Sequence, residues 1–121
     1  DIMALVYYNL DIIQGSTFSA QLFAKNADDS AVDLTGYSVR GVLKYNYGTG
    51  AALVNLSPSV NTTSPYTAAS GVIDVTISAA NTSTLPVTIG VYDIEMYNSN
   101  ESEVRKLLDG RVRVHPEVTN T

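Results

Sequence analysis

"AVDLTGYSVRGVLKY", residues 31–45, sets Tyr37, Val39, Leu43 and Tyr45 against Ser38, Arg40 and Lys44. Successive side chains of a strand point to opposite faces, so this alternation specifies a strand with one dry side and one wet side. The residues ahead of it announce the strand. In "DLTGY", Leu34 suits the core, Asp33 and Thr35 suit bonds to the turn backbone, and Gly36 allows the bend into the strand.

The same period of two recurs outward in both directions. Phe18, Ala20, Leu22 and Ala24 alternate with Ser19, Gln21 and Lys25, and Ile73, Val75 and Ile77 with Asp74 and Thr76. Tyr92, Ile94 and Met96 alternate with Asp93 and Glu95, and Val112 and Val114 with Arg111 and Arg113. One-sided strands of this kind belong to antiparallel sheets packed on a single face. "LVYYNLDII", 5–13, is apolar on both sides, as expected where a chain crosses between sheets or pairs with a neighbour, and "ALVNL", 52–56, reads as a short extra strand.

The connections agree with this reading. "NADDS" at 26–30, "NYGTG" at 46–50 and "NSNES" at 98–102 supply the Asn, Asp, Ser and Gly that tight reversals need. "SPSVNTTSPYTAASG", 57–71, lacks periodicity and reads as an exposed loop of the length that is often functional. "SAANTSTLP", 78–86, departs from the strand rule: Ser78 can cap a helical turn that Ala79 and Ala80 favour and Pro86 ends. Asp109-Gly110 fits a bulge or kink ahead of the last strand. Tyr92, at the start of its strand, stands where a sandwich tyrosine can bond back to the preceding loop. About seven short strands joined this way give an all-β fold, an immunoglobulin-like antiparallel sandwich with Greek-key connections and one helical turn near 78–85. The expectation is one domain over 1–121, with extended ends at 1–4 and 115–121.

Composition narrows the function. The chain has 121 residues, 45 % of them hydrophobic, enough to build a core without staples. There is no cysteine, which removes disulfides, thiolate chemistry and Cys-ligated zinc together. No apolar run approaches the roughly 20 residues of a membrane helix, and the first residues lack the basic start of a signal peptide. A net charge of −5 at pH 7 disfavours nucleic acid as a partner. Four of the seven basic residues nevertheless cluster as Arg105, Lys106, Arg111 and Arg113, either a solvated strand face or a contact for an acidic protein.

Catalytic patterns are sparse. The single histidine, His115, stands before Pro116, and no serine sits in a nucleophile-elbow context. Asp93 and Glu95 point the same way, about 7 Å apart by strand geometry, but acids at that spacing commonly solvate a wet face. Asp28-Asp29 lacks a calcium-loop framework, and no phosphate-cradling glycine loop occurs. Neither a cofactor nor a metal is therefore expected. The eight tyrosines, with no tryptophan, suit partly wet protein interfaces and, less directly, sugar stacking. Candidate interface residues are Tyr7, Tyr8, Tyr47, Tyr66, Arg111, Arg113, His115, Pro116 and Val118.

Four segments in order, "IIQGSTF" at 12–18, "VDLTGYSVRGVLK" at 32–44, "TSTLPVTIGVYDIEMY" at 82–97 and "KLLDGRVRVHPEVT" at 106–119, resemble small β-sandwich virion proteins of tailed bacteriophages. These include long-tail-fibre connector sandwiches and N-terminal modules of baseplate proteins. The resemblance implies a non-enzymatic structural role in the virion, in multiple symmetric copies that bind tail, baseplate, fibre or capsid subunits, with neither nucleic acid nor membrane as partner. A tail, baseplate or fibre-connector position is the first expectation and head decoration the second. A carbohydrate-binding or adhesion module, resting on the tyrosines and the 57–71 loop, is the rival.

Overall fold

A computed structural model describes residues 4–46, 48 and 50–118. Its strands are β1 (Val6–Tyr7), β2 (Leu10–Ile13), β3 (Phe18–Phe23), β4 (Ser38–Lys44), β5 (Val54–Asn55), β6 (Ser59–Val60), β7 (Val72–Ile77), β8 (Ile89–Tyr97) and β9 (Val104–His115). A short helix, α1 (Ala79–Ser83), joins β7 to β8, and a 3-10 turn spans Ala68–Ser70.

The strands form two sheets. A six-stranded sheet runs β1-β9-β8-β4-β5 with β2 also on β9, and a three-stranded sheet runs β3-β7-β6. Their inner faces meet in one core. Leu22, Ile73, Val75 and Ile77 come from the small sheet, and Ile12, Leu43, Tyr92, Ile94, Leu108, Val112 and Val114 from the large one. This is the all-β sandwich that the alternation specifies: the chain changes sheet from β2 to β3, from β3 to β4, from β5 to β6 and, through α1, from β7 to β8.

The punctuation behaves as its chemistry requires. Leu34 is 1 % exposed, Thr35 N donates to Asp33 Oδ1 at 2.9 Å, and Gly36 takes φ 81°. In the 26–30 turn both the Ser30 amide and hydroxyl donate to Asp28. Ser78 caps α1, its Oγ accepting from Asn81 N at 3.2 Å. Thr82, 0 % exposed, ties the helix down by donating from Oγ1 to Ser16 O at 2.8 Å.

Five expectations are corrected. Segment 5–13 forms two strands, and both pair parallel with β9, so the large sheet is mixed and only the remaining pairs are antiparallel. The break falls at Tyr8–Asn9 because Tyr8 N bonds Asp109 O and Asn9 Oδ1 accepts from Arg111 N, which replaces the ladder for one step. Asp109-Gly110 lies inside β9 rather than at a kink; the register shift comes earlier, where Ile94 pairs with Leu108 but Glu95 pairs with Lys106. Gly110 is required for a different reason: a Cβ there would meet Tyr8 O at 1.9 Å. Tyr92 OH donates at 2.8 Å to Tyr8 O, on the distant N-terminal strand segment and not on the preceding loop. His115 is the last residue of β9, not part of a free tail, because Ile13 pairs with it and Gln14 N donates to its carbonyl. At the other end Ala4 N already bonds Lys25 O. Finally, segment 57–71 is more ordered than a bare loop, since β6 and the Ala68–Ser70 turn lie within it.

Candidate interface on the large sheet

The outer face of the six-stranded sheet is read off the register. Asp11 lies beside Arg113, Ile13 beside His115 and Tyr7 beside Asp109. Across β9, Arg113 faces Ile89, Arg111 faces Val91 and Asp109 faces Asp93; across β8, Val91 faces Lys44, Asp93 faces Val42 and Glu95 faces Arg40. Side chains on such facing pairs share a surface and interact directly.

This face has two electrically different halves. In one, the charges are matched. Arg40 Nε meets Glu95 Oε1 at 2.5 Å and its Nη1 meets Glu101 Oε1 at 2.7 Å, while its guanidinium lies 4.4 Å from the centre of the Tyr97 ring. Lys106 Nζ sits between Asp93 Oδ2 at 3.4 Å and Asp109 Oδ2 at 3.6 Å. Asp109 is buried, and its Oδ1 has no hydrogen-bond partner among the described residues. At the end of the sheet, on the side of the core-facing Met96 that it pairs with, Arg105 reaches Glu103 at 3.5 Å. Tyr37 OH donates to Glu103; that bond holds the Glu103 carboxyl below its usual value and pushes the Tyr37 hydroxyl above its own.

The other half is unmatched. Among the described residues Arg111 and Arg113 make no ion pair, although both are exposed. Around them stand large apolar side chains that the fold leaves in water: Ile13 and Ile89, each 51 % exposed, and Val87, 57 % exposed. His115 Nε2 lies 2.8 Å from Asp11 Oδ1 at the rim, as a water-exposed pair. Two shallow grooves cross this half. Asn9, Asp11, Ile89, Arg111 and Arg113 line one, and Val87, Ile89, Arg113, His115 and Pro116 line the other. Apolar side chains with an Arg interleaved are the composition enriched at protein-contacting surfaces.

The structure thus brings together Arg111, Arg113, His115 and Pro116, with Tyr7, 72 % exposed, further along the same edge. Tyr8 serves the fold through its backbone, as acceptor for Tyr92. Tyr66 stands apart in the 57–71 segment, half-buried, its amide bonded to Thr63 O. Val118, 93 % exposed, lies beyond β9. Tyr47 lies outside the described residues. The basic cluster of the sequence divides: Arg105 and Lys106 are neutralised, and only Arg111 and Arg113 remain available. Ile13, Val87 and Ile89 are additions that the alternation alone did not single out. The available signal was parity, since Ile89 and Val91 are apolar on the wet side of β8.

Among the described residues no three His, Asp or Glu side chains gather as metal ligands. Asp93 and Glu95 each face a cation across the sheet. No family model matches the chain, and no curated protein matches it in sequence.

Proposed function

We propose that this chain is a non-enzymatic structural protein of a tailed-bacteriophage virion. Its role is to connect or adapt tail, baseplate or fibre subunits through protein–protein contacts. The ordered motif series from "IIQGSTF" to "KLLDGRVRVHPEVT" supports the virion class. The joining role rests on one observation: the unpaired Arg111 and Arg113 beside the exposed Ile13, Val87 and Ile89. Water-exposed apolar groups flanked by free cations gain most when an acidic, partly apolar surface covers them.

The test is made on phage particles that encode this chain. Mass spectrometry of purified virions is expected to find it in a fixed ratio to the tail proteins. Particles carrying Arg111→Glu together with Arg113→Glu are expected to lack it. Virions that contain no copy of the unaltered chain would refute the reading.

A further inference from the structure

Among the described residues, the small sheet ends in an edge left open along Ser19–Phe23, with Ala4 bonding only Lys25 beyond it. β3 pairs with β7 on one side only. The hydrogen bonds show which backbone groups face outward: Ala24 N donates inward to Gly71 O at 2.8 Å, whereas Lys25 O accepts Ala4 N from the opposite side at 3.1 Å. In an antiparallel ladder this alternation continues along the strand. Ala20 and Leu22 therefore bond β7, and Ser19, Gln21 and Phe23 turn their N–H and C=O groups to the open side. Among the described residues nothing bonds those groups.

Exposed edges normally carry charge, proline, a bulge or very short strands that prevent pairing with another chain. The other edges here obey that rule. β5 and β6 are each two residues long, and the β1/β2 edge is broken at Tyr8–Asn9 and carries Asp11. β3 has none of these devices: "FSAQLF" is six residues without charge, proline or glycine, in a chain of net charge −5. Phe18 and Ala20, on its inward side, are only half-buried.

We infer that β3 pairs antiparallel with β3 of a second copy about a two-fold axis through Gln21, joining the two small sheets into one six-stranded sheet. The edge is self-complementary in that register. Gln21 faces Gln21, whose amide both donates and accepts, and Ser19 faces Phe23, so no charge opposes its like. The two-fold makes the contact close on itself, giving a dimer rather than a fibre. This inference goes beyond the proposed function and holds whether or not the chain belongs to a virion.

Analytical ultracentrifugation of the full chain decides it. The unaltered protein is expected to sediment as a concentration-dependent dimer. Gln21→Glu places two carboxylates on the axis, with Asp74 beside each, and is expected to weaken association about tenfold or more. Gln21→Pro removes only the outward N–H and is expected to do the same without adding charge. Circular dichroism checks that each variant remains folded. A third variant, Gln21→Cys, gives this cysteine-free chain one thiol, which a short bifunctional thiol reagent is expected to link to its twin. A monomer at sub-millimolar concentration, a dimer that survives either Gln21→Glu or Gln21→Pro, or a Gln21→Cys protein that does not cross-link would overturn the inference.

Discussion

Gly110 and Tyr92 show how single side chains fix the path of the first strand. The Tyr8 backbone crosses so close to β9 that a Cβ at position 110 would sit 1.9 Å from Tyr8 O and 2.7 Å from Tyr8 C. Backbone cannot yield as a flexible side chain can, so Gly110→Ala is expected to cost about 1–3 kcal/mol, read by urea unfolding. Tyr92→Phe removes the donor to the same carbonyl and should cost about 0.5–1.5 kcal/mol. Because both act on one crossing, the double variant should cost less than the sum of the two. A second residue-scale prediction concerns pH. Glu103, Asp33 and Asp28 titrate below their usual 4.5, 3.8 and 3.8, held there first by hydrogen bonds from Tyr37, Thr35 and Ser30. Between the lowered and the usual values the unfolded chain binds more protons than the folded one, so stability rises with pH through that window. Their contribution is complete above the usual values and is lost as pH falls through the lowered ones. Tyr37 shifts the other way, above its usual 10, so its contribution is complete below that value and lost as pH rises through the raised one. A Tm–pH profile should therefore fall at both ends, and Tyr37→Phe should flatten both limbs.

At the scale of elements, β2 and α1 carry the most informative substitutions. Ile12 is 0 % exposed, yet its strand is only four residues long and is held on one side. Ile12→Ala should therefore cost about 2–5 kcal/mol, chiefly by freeing β2 from the core, with amide exchange speeding up over residues 10–13 before elsewhere. Ser78→Ala removes the α1 cap and should cost about 0.5–2 kcal/mol. The elements differed in how legible they were. β3, β7, β8 and β9 could be read because their pattern is local: each alternates against one core. The α1 turn could be read from Ser78, Ala79, Ala80 and Pro86 for the same reason. The parallel pairing of β1 and β2 could not, since Ile12 looks the same beside Val114 in either direction. Nor could the register shift at Ile94/Glu95, where Leu107 and Leu108 both turn inward to fill the core.

Over the whole molecule, charge separates what holds the fold from what remains free. Among the described residues Arg111 and Arg113 are exposed and make no ion pair, so Arg111→Glu with Arg113→Glu should change stability by less than about 0.5 kcal/mol per site while abolishing capture of the acidic partner surface proposed above. Calorimetry beside a binding assay tests both halves of that statement. Half of this surface was visible in the sequence as the basic cluster. The sequence did not show that Lys106 is drawn off by Asp93 and Asp109, or that Ile89 lies beside Arg113 with Ile13 one row along beside His115, because strands distant in the chain make those pairings.

The first strands finish the sheet by lying against the last one, with Asn9 bonding Arg111 and Tyr8 bonding Asp109. During synthesis, then, β1 and β2 lack their only ladder partner among the described strands until β9 has been made. Its greasy Ile12 side must wait in solvent or borrow cover from a chaperone. Closure of the sandwich is consequently a late, non-local event, slow by the rule that distant contacts cost the most chain entropy. A ribosome stalled after Leu108 should hold a chain whose first dozen residues a protease still cuts.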